Sequence, residues 1–415
     1  MRQSQLFTKI AHELPKDETS YNAQILMRAG FIDKVGAGIY TFLPLGLRVL
    51  NKISNIVREE MNAIGGQELL MPGLTPKEVW ETTGRWETFD ALFRLAGSDK
   101  REYALGATHE EIIVPLAKKH IFSYKELPLY LYQVQTKFRN ELRAKAGLIR
   151  GREFLMKDLY SFHADEADLN EYYKVAQKAY FKIFERVGLL NTTYLTFASG
   201  GAFSKYSHEF QTVTQAGEDT IHICDDCQLA INAEIIEEQK SCPNCGRTDL
   251  RVTTAVETGN IFKLRTKFSA PFNLAYKDAK GEQKIIEMGC YGIGPSRIMG
   301  TVVEVHHDER GLVWPEEIAP FKAHLIRLIG GDEEKVGQAA DKLHTDLLAA
   351  GIETLYDDRA GKMAGEKFIE ADLIGCPYRL VMSEKTVKEG SVEIKGRNSQ
   401  KIELVKLNKI IERLK

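Results

Sequence analysis

The stretch Lys137–Lys157, KFRNELRAKAGLIRGREFLMK, carries seven basic and two acidic residues, a net charge of +5. Polar and apolar residues alternate over Tyr130–Arg139, which predicts a half-buried β-strand with a polar, cationic face. A second strand is predicted around Glu153–Asp158, so the pair would form an antiparallel hairpin with a long basic loop. Arginine offers paired donors to phosphate, so this face suits a polyanion. A solvated hairpin tip is the alternative, but Arg139 and Glu141 have the parity of the polar face.

The chain as a whole has the composition of a folded protein with several domains. It has 415 residues, 43% of them hydrophobic and 27% charged, and a formal net charge of −2. This excludes extensive disorder, and the length predicts about two to four domains. No apolar run reaches the ~18 residues of a membrane helix, and Met1–Glu18 has no signal-peptide core. We therefore expect a cytoplasmic protein without membrane association. The near-neutral charge disfavours a simple nucleic-acid coat protein.

Hydrophobic periodicity predicts further elements on both sides of the hairpin. Two amphipathic helices are expected, over Leu47–Ile64 and from Asp168 to Val187. A short strand, Glu68–Met71, would end at Pro72. After a linker at Pro315–Pro320 the pattern becomes that of a separate α/β domain. Its predicted strand, helix and strand are Ala323–Leu328, Glu334–Ala350 and Glu353–Tyr356.

Two other segments could contact ligands. Gly289–Arg297, GCYGIGPSR, precedes a predicted helix, where glycine permits close approach of the backbone and a helix N-terminus favours anions. The chain has neither a P-loop nor a complete dinucleotide-binding motif, which disfavours the common nucleotide folds. Thr108–Glu111 combines a hydroxyl with two acids. It could bind an ammonium group or simply cap a helix.

The cysteines predict a metal site. Cys224-x-x-Cys227 and Cys242-x-x-Cys245 are separated by 14 residues, a pattern typical of tetrahedral Zn²⁺ coordination. Reduced thiols of a decayed site are the alternative. Residues 216–260 carry a net charge of −6, so phosphate would be repelled, and a structural zinc is favoured over a nucleic-acid reader.

Taken in order, these segments resemble a class II aminoacyl-tRNA synthetase, specifically a bacterial-type prolyl-tRNA synthetase. The helix and strand ending at Pro72 resemble motif 1, which packs at the dimer interface. Phe138–Glu141 with Arg150–Phe154 resembles motif 2, and Gly292–Arg297 resembles motif 3. The prolyl-specific similarity lies in Thr108–Glu110, Ser207–Gln211 and Arg150–His163, and the resemblance extends over essentially the whole chain.

The resemblance implies an α+β catalytic domain with a mostly antiparallel class II sheet, a small zinc-ribbon-like insert and a C-terminal α/β anticodon-binding domain. The expected domains are residues 1–215 and 257–319 for catalysis, 216–256 for the insert and 320–415 for the anticodon. Residues 376–415 carry a net charge of +5, which suits RNA. Asp357–Arg359 and Gly361–Phe368 are candidate anticodon contacts.

The resemblance also implies roles in activating proline with ATP and charging the tRNA for proline, in a homodimer. Arg139 would bridge the α-phosphate and the proline carboxylate, and Arg297 would bind the γ-phosphate with Mg²⁺. The other expected ATP-binding residues are Glu141, Arg150, Phe154, Gln211, Gly292 and Gly294. Arg139, Glu141 and Arg297 would be catalytic. Glu209 would bind magnesium. The expected proline-binding residues are Thr108, Glu110, Arg139, His208 and Cys290, although Cys290 equally fits a buried strand cysteine.

The sequence departs from the family in two places. Bacterial prolyl enzymes commonly carry a long editing insertion between motifs 2 and 3, whereas here this interval offers only the cysteine module. Weak or absent editing in cis is therefore expected, with a separate trans-editing deacylase as a possible partner. Asn260 stands where the family usually has histidine. Two alternatives stay open: a non-catalytic synthetase-like regulatory or binding protein, and a threonyl- or seryl-type class IIa enzyme.

Overall fold

The computed structural model describes residues 1–11, 13, 18–142, 144, 146–201, 203 and 205–415. Its α-helices are α1 Tyr21–Arg28, α2 Pro44–Ala63, α3 Lys77–Thr82, α4 Arg85–Thr88, α5 Glu110–Lys118, α6 Glu166–Arg186, α7 Pro295–Val305, α8 Glu333–Ala349, α9 Ala364–Ile374, α10 Glu384–Lys388 and α11 Ile410–Leu414. None of the helices in the described ranges is both long enough and apolar enough to cross a membrane.

The strands are β1 Ile32–Gly36, β2 Ile39–Phe42, β3 Gln67–Glu68, β4 Leu74–Pro76, β5 Arg94–Ala96, β6 Glu102–Leu105, β7 Leu129–Phe138, β8 Glu153–His163, β9 Thr193–Ser199, β10 Tyr206–Val213, β11 Asp219–Cys224, β12 Leu229–Asn232, β13 Arg251–Arg265, β14 Ala275–Lys277, β15 Gln283–Ile285, β16 Glu287–Ile293, β17 His307–Asp308, β18 Gly311–Leu312, β19 Ala323–Arg327, β20 Thr354–Asp357, β21 Tyr378–Met382, β22 Ser391–Gly396 and β23 Ile402–Lys406.

These elements divide into two compact units, and the larger one contains residues 35–40 and 53–301. Within the described residues, nine strands form its main sheet in the order β10-β9-β12-β11-β13-β16-β8-β7-β3, and β10 also pairs with β13. The pairings are antiparallel except β12 with β9 and β3 with β7. The sheet is therefore mostly antiparallel, as predicted.

Helix α6 covers one face of this sheet. Asp165 caps it by accepting a hydrogen bond from the backbone N–H of Asp168, and its buried stripe includes Tyr172 and Tyr180. The phenol of Tyr180 accepts a 2.7 Å hydrogen bond from Lys157 Nζ. Neighbouring strand residues point to opposite faces, so Lys157 faces α6 while Asp158 faces the other side, where α5 packs.

The predicted hairpin is present as β7 and β8, in a register that pairs Val134 with Lys157 and Phe138 with Glu153. The prediction of a half-buried strand was wrong for the polar face of β7. Gln133 and Lys137 are fully buried, because residues preceding α5 cover that face.

The other unit contains residues 1–34, 41–52 and 302–415. Its described residues form a five-stranded sheet in the order β20-β19-β21-β22-β23, in which β20, β19 and β21 run parallel. Helix α8 buries Val336, Ala340, Leu343 and Leu347 in the core of this unit. The strand, helix and strand predicted after the linker are present as β19, α8 and β20.

Part of the predicted insert belongs to the main sheet, because β11 and β12 are two of its nine strands. Its boundaries at residues 216 and 256, and the domain boundary at residue 320, stay predictions. The predicted strand Glu68–Met71 is shorter in the structure, where β3 ends at Glu68.

We predict that Gly46→Ala destabilises the protein, because a Cβ at this position in α2 would lie 2.0 Å from the carbonyl oxygen of Phe31. Such overpacking costs about 1–3 kcal/mol. Gly365→Ala is the matched control, since that glycine is also helical and its Cβ would meet no atom within 4 Å. The urea midpoint should fall for the first variant and hold or rise for the second. Equal midpoints would contradict this packing argument.

Candidate active site

A cavity of about 170 Å³ lies on the α5 side of the nine-stranded sheet, at the loop end of the β7–β8 hairpin. Many of the residues singled out from the sequence line it. They are Thr108, Glu110, Arg139, Phe154, Cys290, Gly292, Gly294 and Arg297. The remaining walls come from Met156, Asp158, Phe203, Glu257, Thr258, Gly259, Asn260, Phe262 and Ile293. The structure therefore brings segments more than 180 residues apart to one site.

Arg139 is the cation with the fewest competing partners at this site. Its Nε donates a long 3.4 Å hydrogen bond to the Ala107 carbonyl, and its guanidinium lies 5.3 Å from the centre of the Phe154 ring. No carboxylate of the described residues forms a salt bridge with it. Burial, and secondly the nearby Arg297, lower the pKa of Arg139. An anion that entered the cavity would relieve both penalties.

Arg297, on the first turn of α7, is held by the backbone and by one acid. It donates 2.6 Å and 3.2 Å hydrogen bonds to the carbonyl and the Oε2 of Glu257, and a 2.9 Å bond to the Ile149 carbonyl. Gly292 and Gly294 precede this helix and leave room beside it. The two arginines thus approach the cavity from different elements, which suits a ligand with several negative groups.

Thr108 and Glu110 form the acidic end of the cavity. The Glu110 carboxylate is fully buried and accepts hydrogen bonds from the Thr108 hydroxyl and, at 3.3 Å, from the Cys290 thiol. Arg85 donates to Glu110 at 3.4 Å and to Glu111 at 2.9 Å. One guanidinium for two buried carboxylates leaves an excess negative charge, which an ammonium group of a ligand would neutralise.

A buried network beneath the cavity was not foreseen from the sequence. Lys137 Nζ donates to His109 Nδ1 at 2.5 Å and pairs with Asp158 Oδ1 at 2.8 Å. Asp158 also accepts hydrogen bonds from Gln133 and Tyr160. Burial, with Lys137 second, lowers the pKa of His109 to about 4, so this imidazole is neutral at pH 7. The sequence could have placed Asp158 at this site, because Asp158 and Phe154 are four residues apart on one strand and therefore share a face.

Glu209 and Gln211 lie on β10 beside an acidic group of side chains. Glu209 accepts hydrogen bonds from the amides of Gln211, Asn232 and Asn260 at 2.8, 3.1 and 3.4 Å. Burial, then the charge of Glu257, raise the pKa of Glu209 to about 8. Neither Glu209 nor Gln211 lines the 170 Å³ cavity, but their neighbours Glu257 and Asn260 do.

Glu141 and Arg150 pair across the base of the hairpin loop. Arg150 donates from Nε at 3.1 Å and from Nη2 at 2.9 Å to Glu141 Oε2, and it also binds Glu218. These two residues flank the cavity without lining it. The loop bases Arg143 and Lys145 lie outside the described residues.

His208 is placed away from the other predicted residues. Its Nδ1 lies 2.8 Å from the Tyr173 hydroxyl of α6, and its ring packs edge-on against Phe197. Because adjacent residues of a strand point to opposite faces, His208 and Glu209 cannot face one pocket. His208 instead lines a larger cavity, of about 1070 Å³, with Tyr173 and Lys263. The sheet separates it from Glu110, so we do not retain it as a proline ligand.

The four predicted metal-binding cysteines converge. Their sulfur atoms all lie within 4.8 Å of one another, although the chain separates them by up to 21 residues. Burial acts to raise the pKa of Cys242, but the backbone N–H groups of Cys245 and Asn244 lower it to about 7. A thiolate is the form that binds a metal.

Two domain families match the sequence. One is described as the tRNA synthetase class II core domain (G, H, P, S and T) and matches residues 93–306. The other, an anticodon-binding domain, matches residues 318–415. A proline–tRNA ligase of Moorella thermoacetica is 33% identical, with 96% of this chain and 95% of the relative covered. One from a Geobacillus species is 34% identical, with 100% and 99% covered.

The chain belongs to the proline–tRNA ligase family. The resemblance read from the sequence motifs is thereby confirmed. The alignment with the Moorella relative extends over 549 positions, whereas this chain has 415 residues. A large part of that relative therefore has no counterpart here, as expected for a family member without the long insertion.

Solved structures of the family share the fold. Prolyl-tRNA synthetase of Giardia lamblia, solved with prolyl-adenylate, superposes with a TM-score of 0.79 at 21% identity, covering 93% of this chain and 74% of that one. The Cryptosporidium parvum enzyme, solved with halofuginone and AMPPNP, gives a TM-score of 0.78 at 20% identity, covering 95% and 74%.

Proposed function

We propose that this protein activates proline with ATP and transfers the prolyl group to the 3′ end of the tRNA for proline. One observation carries the proposal. A single cavity holds Arg139, a guanidinium that forms no salt bridge with the described carboxylates, together with the buried carboxylate of Glu110. An amino acid presents the complementary pair of charges, a carboxylate and an ammonium group.

In the first reaction a proline carboxylate oxygen attacks the α-phosphorus of ATP. A new P–O bond forms, the bond to the β-phosphate oxygen breaks, and pyrophosphate leaves. Negative charge accumulates where the carboxylate meets the phosphate, and Arg139 stands there as a preorganised donor. Arg297 supports the outer phosphates. The work of the protein is mainly positioning and charge stabilisation.

Proline selection is assigned to the acidic end of the cavity. The imino group, protonated before activation, would donate to Glu110 and Thr108. Cys290, Phe203 and Phe262 line the cavity and would contact the ring. Glu110 is already bound by Arg85, so its carboxylate is held in place before the substrate enters, which reduces the ordering cost of binding.

The nucleotide is assigned to the remainder of the site. Phe154 would stack on adenine, Glu141 and Gln211 would hydrogen-bond the nucleoside, and Arg150 would hold the outer phosphates. Gly292 and Gly294 would permit the nucleotide to approach the backbone closely. Gln211 Oε1 and Asn260 Oδ1 are buried acceptors that have no hydrogen-bond partner in the part of the chain that the structure describes, which fits ribose hydroxyls or a hydrated cation.

Magnesium fits the same region. Mg²⁺ prefers oxygen ligands, and Glu209, Glu257 and the free amide oxygen of Asn260 supply them. When bound, the cation would neutralise phosphate charge. Glu209 would hold it as a carboxylate, a form that its raised pKa disfavours until a cation is present.

The four converging cysteines fit Zn²⁺, which takes four sulfur ligands in structural sites. We assign them a structural zinc in a ribbon-like insert. The C-terminal unit carries the anticodon-binding domain, which we assign to the same tRNA. By resemblance of the segment ending at Pro72 to motif 1 we further propose a homodimer, and we retain the cytoplasm as its expected location.

Arg139→Ala should abolish proline-dependent pyrophosphate exchange, because it removes the donor from the charge that develops at the α-phosphate. Arg101→Ala is the control, since Arg101 is exposed and the salt bridge that its side chain forms within the described residues is with Asp99. Exchange measured with a panel of amino acids tests both alternatives at once. A non-catalytic protein would give no exchange, and a threonyl- or seryl-type enzyme would respond to another amino acid. Full exchange by Arg139→Ala would contradict the assignment.

Metal analysis of the purified protein should find about one zinc per chain. Cys245→Ser should lower that stoichiometry, because it removes one of the four ligands. Cys376→Ser should leave it unchanged, since this buried cysteine belongs to the other unit. If protein that is purified without a chelator contains no zinc, the zinc assignment is wrong.

We also propose that this chain does not edit alanyl-tRNA. Alanine is smaller than proline by two ring carbons, and a pocket gains only about 1–3 kcal/mol from each methylene-sized contact, so alanine should be misactivated. A separate deacylase would then clear the product. Alanine-charged tRNA for proline should therefore persist in the presence of the purified protein, decaying at the spontaneous rate. Enzyme-dependent release of alanine from that tRNA would contradict this prediction.

A further inference from the structure

The β11–β12 hairpin connects the cysteine cluster with the nucleotide end of the candidate site. Its strands pair antiparallel, with Ile221 opposite Asn232 and Cys224 opposite Leu229. Cys224 ends β11 and Cys227 lies in the turn, whose backbone is closed by a 2.9 Å hydrogen bond from the Gln228 N–H to the Cys224 carbonyl. The cluster therefore occupies one end of the hairpin.

The opposite end of the hairpin contacts the two β10 residues assigned to ATP and magnesium. Asn232 Nδ2 donates to Glu209 Oε2 at 3.1 Å. Gln211 Nε2 donates to Asp219 Oδ2 at 2.7 Å and to Glu209 Oε2 at 2.8 Å. At about 3.3 Å per residue, the five steps from Asp219 to Cys224 span roughly 16 Å.

These contacts decide which atoms of the β10 side chains remain for a ligand. Because both acceptors of the Gln211 amide nitrogen are carboxylates, its Oε1 is left buried and has no hydrogen-bond partner among the described residues. Asp219 and Glu209 together orient this amide. Asn232 similarly holds Glu209, while its own Oδ1 accepts a hydrogen bond from the backbone of Glu234.

We infer that Asp219 and Asn232 are positioning residues for the nucleotide–magnesium subsite, and that the cysteine cluster maintains them in place through the β11–β12 hairpin. This inference rests on the proposed function for the identity of the ligand. It gives the cysteine module a role in ATP binding, although none of its cysteines lines the cavity.

The first test replaces Asn232. Asn232→Ser retains a side-chain oxygen that can cap the following turn but is too short to hold Glu209. Asn232→Asp keeps the shape and replaces the donor by a negative charge. We expect the KM for ATP in pyrophosphate exchange to rise about three- to tenfold in the serine variant, as for loss of one supporting hydrogen bond. In the aspartate variant the KM for ATP should rise further, and the reaction should require more Mg²⁺. The KM for proline should stay within twofold in both variants.

The control is Thr220→Ala, which alters an exposed residue on the same strand and should change neither KM. An unchanged KM for ATP in Asn232→Ser would overturn the inference. So would a parallel rise of both KM values with a lower melting temperature, because this would indicate a structural role only.

The second test examines the link to the cysteines. Cys245→Ser should weaken binding of ATP in the presence of Mg²⁺, measured by titration calorimetry, by a factor similar to that of Asn232→Ser. The double variant should bind ATP as tightly as whichever single variant binds it less tightly, since both changes release the same side chain. Multiplicative effects, or unaltered ATP binding in Cys245→Ser, would refute the link.

Calorimetry separates failure of this inference from failure of the proposed function. If the unaltered protein binds ATP with Mg²⁺ but exchanges no pyrophosphate, the proposed function fails while the positioning of Glu209 is still measured. If the unaltered protein does not bind ATP, both fail.

Discussion

Phe138 faces Glu153 and Val134 faces Lys157 across the β7–β8 pair, and the arrangement of the site depends on this register. A shift of β8 by one residue would exchange the two faces of that strand. Phe154 and Asp158 would then turn towards α6, and Lys157 would enter the cavity. The buried contacts of Lys157 with Tyr180 and of Lys137 with Asp158 both oppose such a shift, because each would leave a charge without a partner.

The charges of the site are held apart by separate elements. Arg139 follows β7, Arg297 lies on α7, and Glu110 begins α5, so each charge is oriented by the rigid element that carries it. Burial and the nearby Arg297 lower the pKa of Arg139, and at the neighbouring Glu209 burial and the charge of Glu257 raise the pKa. Such uncompensated groups are costly in the free protein, but they require little reorganisation when a substrate supplies the opposite charge.

The cysteine module also contributes to the sheet that carries the site. Its first two strands extend this sheet, and their ends supply Asp219 and Asn232 to residues of β10. The contact of Asn232 matters for the site, because Glu209 would otherwise lose a hydrogen-bond donor in a buried position. The cysteine cluster is in this way connected to the candidate site without lining its cavity.

Much of the fold and of the site was predictable from local sequence. Periodicity located α2, α6, α8 and the β7–β8 hairpin to within a few residues, and the motifs named most of the cavity lining. His208 was misplaced because motif similarity ignores strand parity. Lys137 was counted as a phosphate-facing base, although burial against Asp158 turns it into a structural cation. Glu257 and Arg85 were missed, since neither lies in a recognisable motif.

The sequence by itself determined the family, the element types and the chemical kinds of residue, because these follow from spacing, periodicity and motif order along the chain. Only the tertiary structure decided which charges are paired. Arg150 is paired with Glu141 and Glu218, whereas Arg139 lines the cavity and forms no salt bridge with the described acids, although the sequence places both arginines in the same basic stretch. The physical reason is that pairing depends on distances between strands and loops that are remote in sequence, and these distances are set by sheet register and packing.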